Sequence, residues 1–105
     1  MGMEINAYQA AVRSSSPSSS SSFETEIVKN VLGIQDTSNE LEEFITEALK
    51  EGSDLSEGTT KEEMLSKLGD LLWYISIVAW ELGVRLDKVA WKSMLNNSYK
   101  GNSDA

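Results

Sequence analysis

The sequence predicts an all-α protein, and three observations support this prediction. Apolar residues recur at helical spacing in several segments, glycines follow the ends of these segments, and no segment shows the alternation that is typical of a strand. The chain has 105 residues, which fits one small domain over residues 1–105. We therefore expect a bundle of four to five helices.

The first predicted helices lie on either side of a serine-rich segment. Ile5–Arg13 forms a short helix with one apolar face. Residues 14–22 are serine at every position but one, which is typical of a flexible linker because such a run buries little apolar surface. The next apolar stripe predicts a helix over Phe23–Leu32 that ends at Gly33.

Two further helices are predicted by capping residues and glycines. One begins near Thr37 or Ser38, which are good N-caps, and Gly52 ends it. Another begins after Thr59 or Thr60, with a glutamate three residues later as a capping-box partner.

This later helix runs to Leu82, where Gly83 ends it, and a last helix follows from Leu86 or Asp87. In the helix that ends at Leu82, the segment Leu71–Trp80 has no charged residue and is apolar on all sides. A chain this short has few helices with which to surround it, so we infer a homo-oligomer with this helix at the subunit interface. The alternative is a monomer with an exposed tryptophan face.

Composition excludes several classes of function. The chain has neither cysteine nor histidine, so a disulfide framework, a thiol nucleophile, a zinc site with imidazole ligands and a Ser-His-Asp triad are all excluded. A net charge of −8 disfavours nucleic acid as a partner. No segment resembles a signal peptide or a membrane span, so we expect a cytoplasmic protein without a membrane partner.

The negative charge is concentrated in one part of the chain. Ten acids and two lysines lie between Asp36 and Glu63. Within this region Glu40 and Glu43 lie on neighbouring turns of one face, and Asp70 follows at the start of the uncharged run. A solvated helix face explains this pattern, and so does a site where the three carboxylates hold Mg²⁺ between two antiparallel helices.

Several short motifs resemble those of the MazG-like family of nucleoside triphosphate pyrophosphohydrolases, part of the all-α group that includes dUTPases and dCTP pyrophosphatases. They cover nearly the whole chain outside the serine-rich segment. The matching segments are Tyr8-Gln9, Leu32-Gly33-Ile34, the E-x-x-E motif Glu40–Glu43, the long motif Lys67–Tyr74, Glu81–Val84 and Asp87–Ala90.

The resemblance implies a MazG-like helical bundle that forms dimers or tetramers. It also implies a hydrolase that acts on acid anhydrides and converts a nucleoside triphosphate to the monophosphate and pyrophosphate, with Mg²⁺ held by acidic residues. Glu40, Glu43 and Asp70 match the metal-binding and catalytic positions. Lys92 and Lys100 are candidates for binding the substrate phosphates.

Two departures from the family pattern leave an alternative open. Lys67 lies where relatives have the glutamate of their second acidic motif, and Thr37 lies where relatives often have a glutamate. The Lys67 ammonium is expected to pair with Glu40 or Glu43 in place of the cation, while Glu63, one turn earlier, is a candidate substitute ligand. The chain is then a weak enzyme or a degenerate MazG-like binding or regulatory module. An unrelated helical interaction module is a third possibility.

Overall fold

The described part of the chain folds into four helices, and the third of them is central. The computed structural model describes residues 2–16 and 21–104, with side chains as far as residue 98. The helices are α1 (Ile5–Ser15), α2 (Phe23–Lys50), α3 (Gly58–Glu81) and α4 (Leu86–Asp104). α3 contacts the other three helices and packs most extensively along α2. The absence of strands from the described residues confirms the all-α prediction.

The predicted break at Gly33 is wrong, because α2 continues through this residue to Lys50. A Cβ atom built on Gly33 would lie 2.5 Å from Cε1 of Tyr74. Gly33 therefore gives the Tyr74 ring room to lie against the helix rather than ending it. Thr37 and Ser38, the predicted N-caps, lie inside α2, and Thr37 is buried.

Other helix ends agree with the sequence in part. Gly52 and Gly83 follow α2 and α3 with φ of 75° and 73°, the left-handed conformation that glycine adopts without strain. The capping box predicted at Thr59 or Thr60 is wrong. α3 begins one residue earlier than Thr59, and its N-cap, Glu57, makes no side-chain capping hydrogen bond.

The serine-rich segment contributes to both helices that it joins. α1 runs two residues beyond its predicted end and includes Ser14 and Ser15. The hydroxyl of Ser22 accepts a hydrogen bond from the Thr25 N–H and caps α2. Residues 17–20, the middle of the predicted flexible linker, lie outside the described residues.

A buried glutamine joins α1 to both ends of the α3–α4 connection. Gln9 is 4% exposed, and its Nε2 donates to the carbonyl oxygens of Ser76 at 3.3 Å and Val84 at 3.0 Å. Its Oε1 accepts from the Leu86 N–H at 3.0 Å. We call Gln9 and these three partners the Gln9 clamp. It satisfies the Val84 carbonyl oxygen and the Leu86 N–H, which have no backbone hydrogen-bond partner among the described residues.

A second pair of hydrogen bonds reinforces the same junction near the surface. The Asn6 side chain donates to Asp87 Oδ2 at 3.0 Å and accepts from the Asp87 N–H at 3.0 Å. The bond from Asn6 is the largest cause that lowers the pKa of the Asp87 carboxyl below its ordinary value. These contacts fix the start of α4 against α1.

The apolar core is small in one copy of the chain. The buried hydrophobic side chains among the described residues are Val12, Ala48, Ala79 and Leu86. Many larger ones remain exposed on α3 and α4, although no described helix is apolar over a length sufficient to cross a bilayer. The exposed set on these two helices includes Leu65, Leu68, Leu72, Trp73, Trp80, Trp91, Met94 and Leu95.

Candidate functional site

The two acidic motifs lie on neighbouring helices and face one another. Gly33 of α2 is beside Tyr74 of α3, and Glu40 is beside Lys67, so the numbers rise along one helix as they fall along the other. This antiparallel register brings the Glu40–Glu43 motif next to the motif that begins at Lys67. An unrelated helical module, the third possibility raised by the sequence, gives no reason for this pairing.

Lys67 occupies the centre of the resulting charge cluster. Its Nζ lies 3.0 Å from Glu40 Oε1 and 3.9 Å from Glu63 Oε2, one turn earlier on α3. The Lys67 side chain is 21% exposed, while those of Glu40 and Glu63 are 58% and 47% exposed. The predicted ion pair between Lys67 and a glutamate of α2 is therefore confirmed, with Glu40 as its partner.

Electrostatics keeps this ammonium charged. The hydrogen bond to Glu40 is the largest cause that raises the pKa of Lys67, and the charges of Glu40, Glu63 and Asp70 act in the same direction. Partial burial opposes them but does not reverse the shift. We call these four residues the Lys67 cluster. At neutral pH it contains one cation surrounded by three carboxylates.

The donor set of the Lys67 cluster does not fit a bound Mg²⁺ as it is arranged. Magnesium requires oxygen ligands, and the protonated Lys67 provides none while it repels a second cation. Among the residues that the structure describes, no group of three or more acidic side chains is placed to hold a metal ion. The ammonium already provides the charge compensation that a metal would supply.

The predicted site residues do not all reach the Lys67 cluster. Glu40 is in direct contact with it, and Asp70 acts on Lys67 through its charge. The charge of Asp70 also helps burial to raise the pKa of Tyr8. Glu43 is exposed and makes no hydrogen bond or ion pair among the described residues. Glu63, predicted as a substitute carboxylate, pairs with Lys67 itself.

The second family departure lies in the same register. Thr37 precedes Glu40 by three residues, and Asp70 follows Lys67 by three residues, so the two positions oppose each other across the helix pair. Thr37 is 6% exposed. At this position α2 therefore carries a buried hydroxyl group and no carboxylate.

The lysines proposed to bind phosphate lie elsewhere. Lys92 is an exposed residue of α4 and lines an open cavity of about 510 Å³ with Val84 and Lys88. α4 contacts α1 and α3, but among the described residues it does not contact α2. The structure thus does not bring Lys92 to the Lys67 cluster within one chain. The side chain of Lys100 lies outside the described residues.

Two polar features were not predicted from the sequence. One is the Gln9 clamp, since Gln9 was noted for the family resemblance and not for burial. The other is a cavity of about 400 Å³ lined in part by Arg13, Glu26, Asn30 and Trp73. Oε2 of Glu26 is buried there without a hydrogen-bond partner. The burial of Gln9 could have been predicted, because it is an uncharged polar residue on an apolar helix face. The sequence contains no equally clear pattern that predicts the cavity.

Comparisons with protein-family models, with curated proteins and with solved structures give no match to this chain. The MazG-like resemblance therefore rests on the short motifs of the sequence.

Proposed function

We propose that this chain is a MazG-like helical module that has lost catalysis and acts by binding, as an interaction or regulatory module. The observation that supports this most strongly is the contact of 3.0 Å between the Lys67 ammonium and the Glu40 carboxylate. The family resemblance implies that a metal ion binds between these two helices. Here the chain supplies a cation of its own, so part of the negative charge between the helices is compensated without a ligand.

Two other observations favour loss of catalysis. Lys67 carries an ammonium group where the family's second acidic motif has a glutamate, and Thr37 carries a hydroxyl group where relatives often have a glutamate. Glu43 is exposed and lies apart from the ion pairs of the cluster. Of the three proposed ligands, Glu40 and Asp70 remain, and Glu40 is already paired. The Lys67 ammonium beside them repels a second cation, which opposes the binding of Mg²⁺.

Self-association is part of the same proposal. One copy buries few large apolar side chains and exposes leucines and tryptophans along α3 and α4. Obligate homo-oligomers bury such surfaces against another copy, as in the dimers or tetramers that the resemblance implies. The bundle is then completed by the oligomer.

A second candidate function is a weak Mg²⁺-dependent nucleoside triphosphate pyrophosphohydrolase, as the family resemblance implies. One observation favours it. Glu40, Glu63 and Asp70 act electrostatically on a single point, the Lys67 ammonium, so negative charge does converge between the helices.

Pyrophosphate release from a panel of nucleoside and deoxynucleoside triphosphates, with Mg²⁺ and a high protein concentration, separates the two candidates. We expect no release above the protein-free rate by the natural chain. Lys61→Glu is the matched control, because Lys61 is an exposed lysine of α3 outside the cluster. It should also be inactive.

Lys67→Glu removes the internal cation and restores the family residue. Release by this variant and not by Lys61→Glu would attribute the loss of catalysis to the ammonium. Release by the natural chain, abolished by Glu40→Gln, would overturn the non-catalytic function and support the pyrophosphohydrolase.

A further inference from the structure

One face of α3 is covered in its second half and uncovered in its first half. Near the C-terminus, Ser76 and Ala79 are buried on this face, with Gln9 of α1 reaching the Ser76 carbonyl. Nearer the N-terminus, Leu65, Leu68 and Leu72 continue the same face and are exposed. We call these three leucines the α3 stripe. Among the described residues, no helix covers it.

Gly69 leaves room beside the α3 stripe. A Cβ atom added at Gly69 would meet no atom within 4 Å, so no other described helix approaches α3 closely at this glycine. A second helix lying on the α3 stripe would therefore meet no obstruction at this point.

α4 has an uncovered apolar face of its own. Trp91, Met94 and Leu95 follow helical spacing and are 61%, 61% and 53% exposed, whereas Leu86 at the start of the helix is buried. We call these three residues the α4 stripe. Lys88 and Lys92 are exposed beside it.

Charge favours contact between these two stripes. The chain between Asp36 and Glu63 contains ten acids and two lysines, and this region includes the start of α3. Glu62 and Lys61 are both exposed and flank the α3 stripe, so the negative charge near this stripe comes from the acidic region as a whole. The lysines beside the α4 stripe have the opposite charge, which orients one surface towards the other.

We propose that the α4 stripe of one copy packs on the α3 stripe of a second copy, and that the second copy returns the same contact. A two-fold axis makes the two contacts identical, so the assembly closes as a dimer and covers both stripes in each chain. The inference rests on the self-association in the proposed function and identifies the surfaces that meet. In this dimer, Lys92 of each chain lies beside the acidic surface of the partner subunit.

The test uses the absence of cysteine from the natural sequence, because every introduced thiol is then unique. Full-length chains with Leu68→Cys and with Leu95→Cys are produced together, each with a different affinity tag, and oxidised gently. Val28→Cys is the matched control for Leu68→Cys, because Val28 is also exposed but lies near the start of α2. The mass in solution is measured first by light scattering on the reduced natural chain.

We expect a dimeric mass and a disulfide between the Leu68→Cys and Leu95→Cys chains that forms several-fold faster than the one with Val28→Cys. A monomeric mass would overturn the proposed self-association as well as this inference. A dimer in which Leu68→Cys links mainly to itself would overturn this inference alone, since the α3 stripes would then meet each other. Equal rates with both partners of Leu95→Cys would also overturn it.

Discussion

The Gln9 clamp and the Lys67 cluster both join helices through polar side chains, but their surroundings differ. Gln9 is buried, and its three hydrogen bonds satisfy backbone groups at 3.0–3.3 Å. The carboxylates of the Lys67 cluster are about half exposed, so water can replace each of their contacts. The clamp therefore contributes mainly to the fold, whereas the cluster can change its charges at little cost to the fold.

This difference bears on how function is inferred from the chain. The cluster coincides with the motif that resembles a metal site, and its exposed charges can be exchanged without unfolding the protein. In the proposed function, a lysine in place of a glutamate changes which ions the site attracts, whereas the helix pair stays intact. The same kind of change at Gln9 would leave buried backbone groups without partners.

The largest effect is expected for Gln9→Leu. The substitution fills a similar volume but leaves the Leu86 N–H and the Val84 carbonyl oxygen without their partner, which costs roughly 3 kcal/mol of unfolding free energy. Urea unfolding measures this loss. Gln35→Leu is the control, because Gln35 is exposed on α2 and its replacement should change stability by less than about 0.5 kcal/mol. Equal losses of unfolding free energy in the two variants would show that Gln9 stabilises the fold no more than an exposed residue does.

Gly33→Ala tests the helix pairing that positions the cluster. The added Cβ overlaps the Tyr74 ring, and overpacking of about 1–3 kcal/mol exceeds the gain of roughly 1 kcal/mol in helix propensity. We expect a net loss of about 1 kcal/mol. In a Tyr74→Ala background the same change should stabilise the protein, which a double-mutant cycle of unfolding free energies measures. Additive effects would show that the ring does not lie against Gly33.

Alkaline pH should weaken the Lys67 cluster selectively. The pKa of Lys67 is raised above its ordinary value of 10.5 in the folded chain, so its contribution to stability is complete below that pH. The contribution is lost as the pH rises through the raised folded pKa. We expect the stability difference between the natural chain and Lys67→Met to shrink over this range. A difference that stays constant with pH would argue against the ion pair.

Acid pH should act on the surface pair next to the Gln9 clamp. The pKa of Asp87 is lowered below its ordinary value of 3.8, chiefly by the hydrogen bond from Asn6, so its stabilising effect is present above that pH. It is lost as the pH falls through the lowered folded pKa. Asn6→Ala should therefore reduce the acid dependence of stability, as followed by circular dichroism. This effect is expected to be small because Asp87 is partly exposed.

Much of the fold follows from local sequence signals. The apolar spacing predicts the helical regions, and Gly52 and Gly83 mark two helix ends because both adopt positive φ. Gly33 follows an apolar helical segment just as Gly52 and Gly83 do, so the same local pattern wrongly predicts a helix end there. What it does in the structure depends on Tyr74, 41 residues away in the chain, and no local pattern contains that contact.

The candidate site was predicted in part for similar reasons. Helical spacing places Glu63 and Lys67 on one face, and the antiparallel pairing of α2 and α3 brings Glu40 to them. Spacing does not show that Glu43 lies outside the cluster, because this depends on the rotation of α2 against α3. The Gln9 clamp depends on a junction of three helices and needs the tertiary structure.

The central claim is that the Lys67 ammonium replaces a metal ion between α2 and α3. The most direct test is the unfolding free energy of the full chain as Mg²⁺ is added at constant ionic strength. We expect no change for the natural chain or for Lys61→Glu, and progressive stabilisation of Lys67→Glu, reaching about 2.7 kcal/mol at one hundred times its Kd. Stabilisation of the natural chain by Mg²⁺, abolished by Glu40→Gln, would contradict the claim.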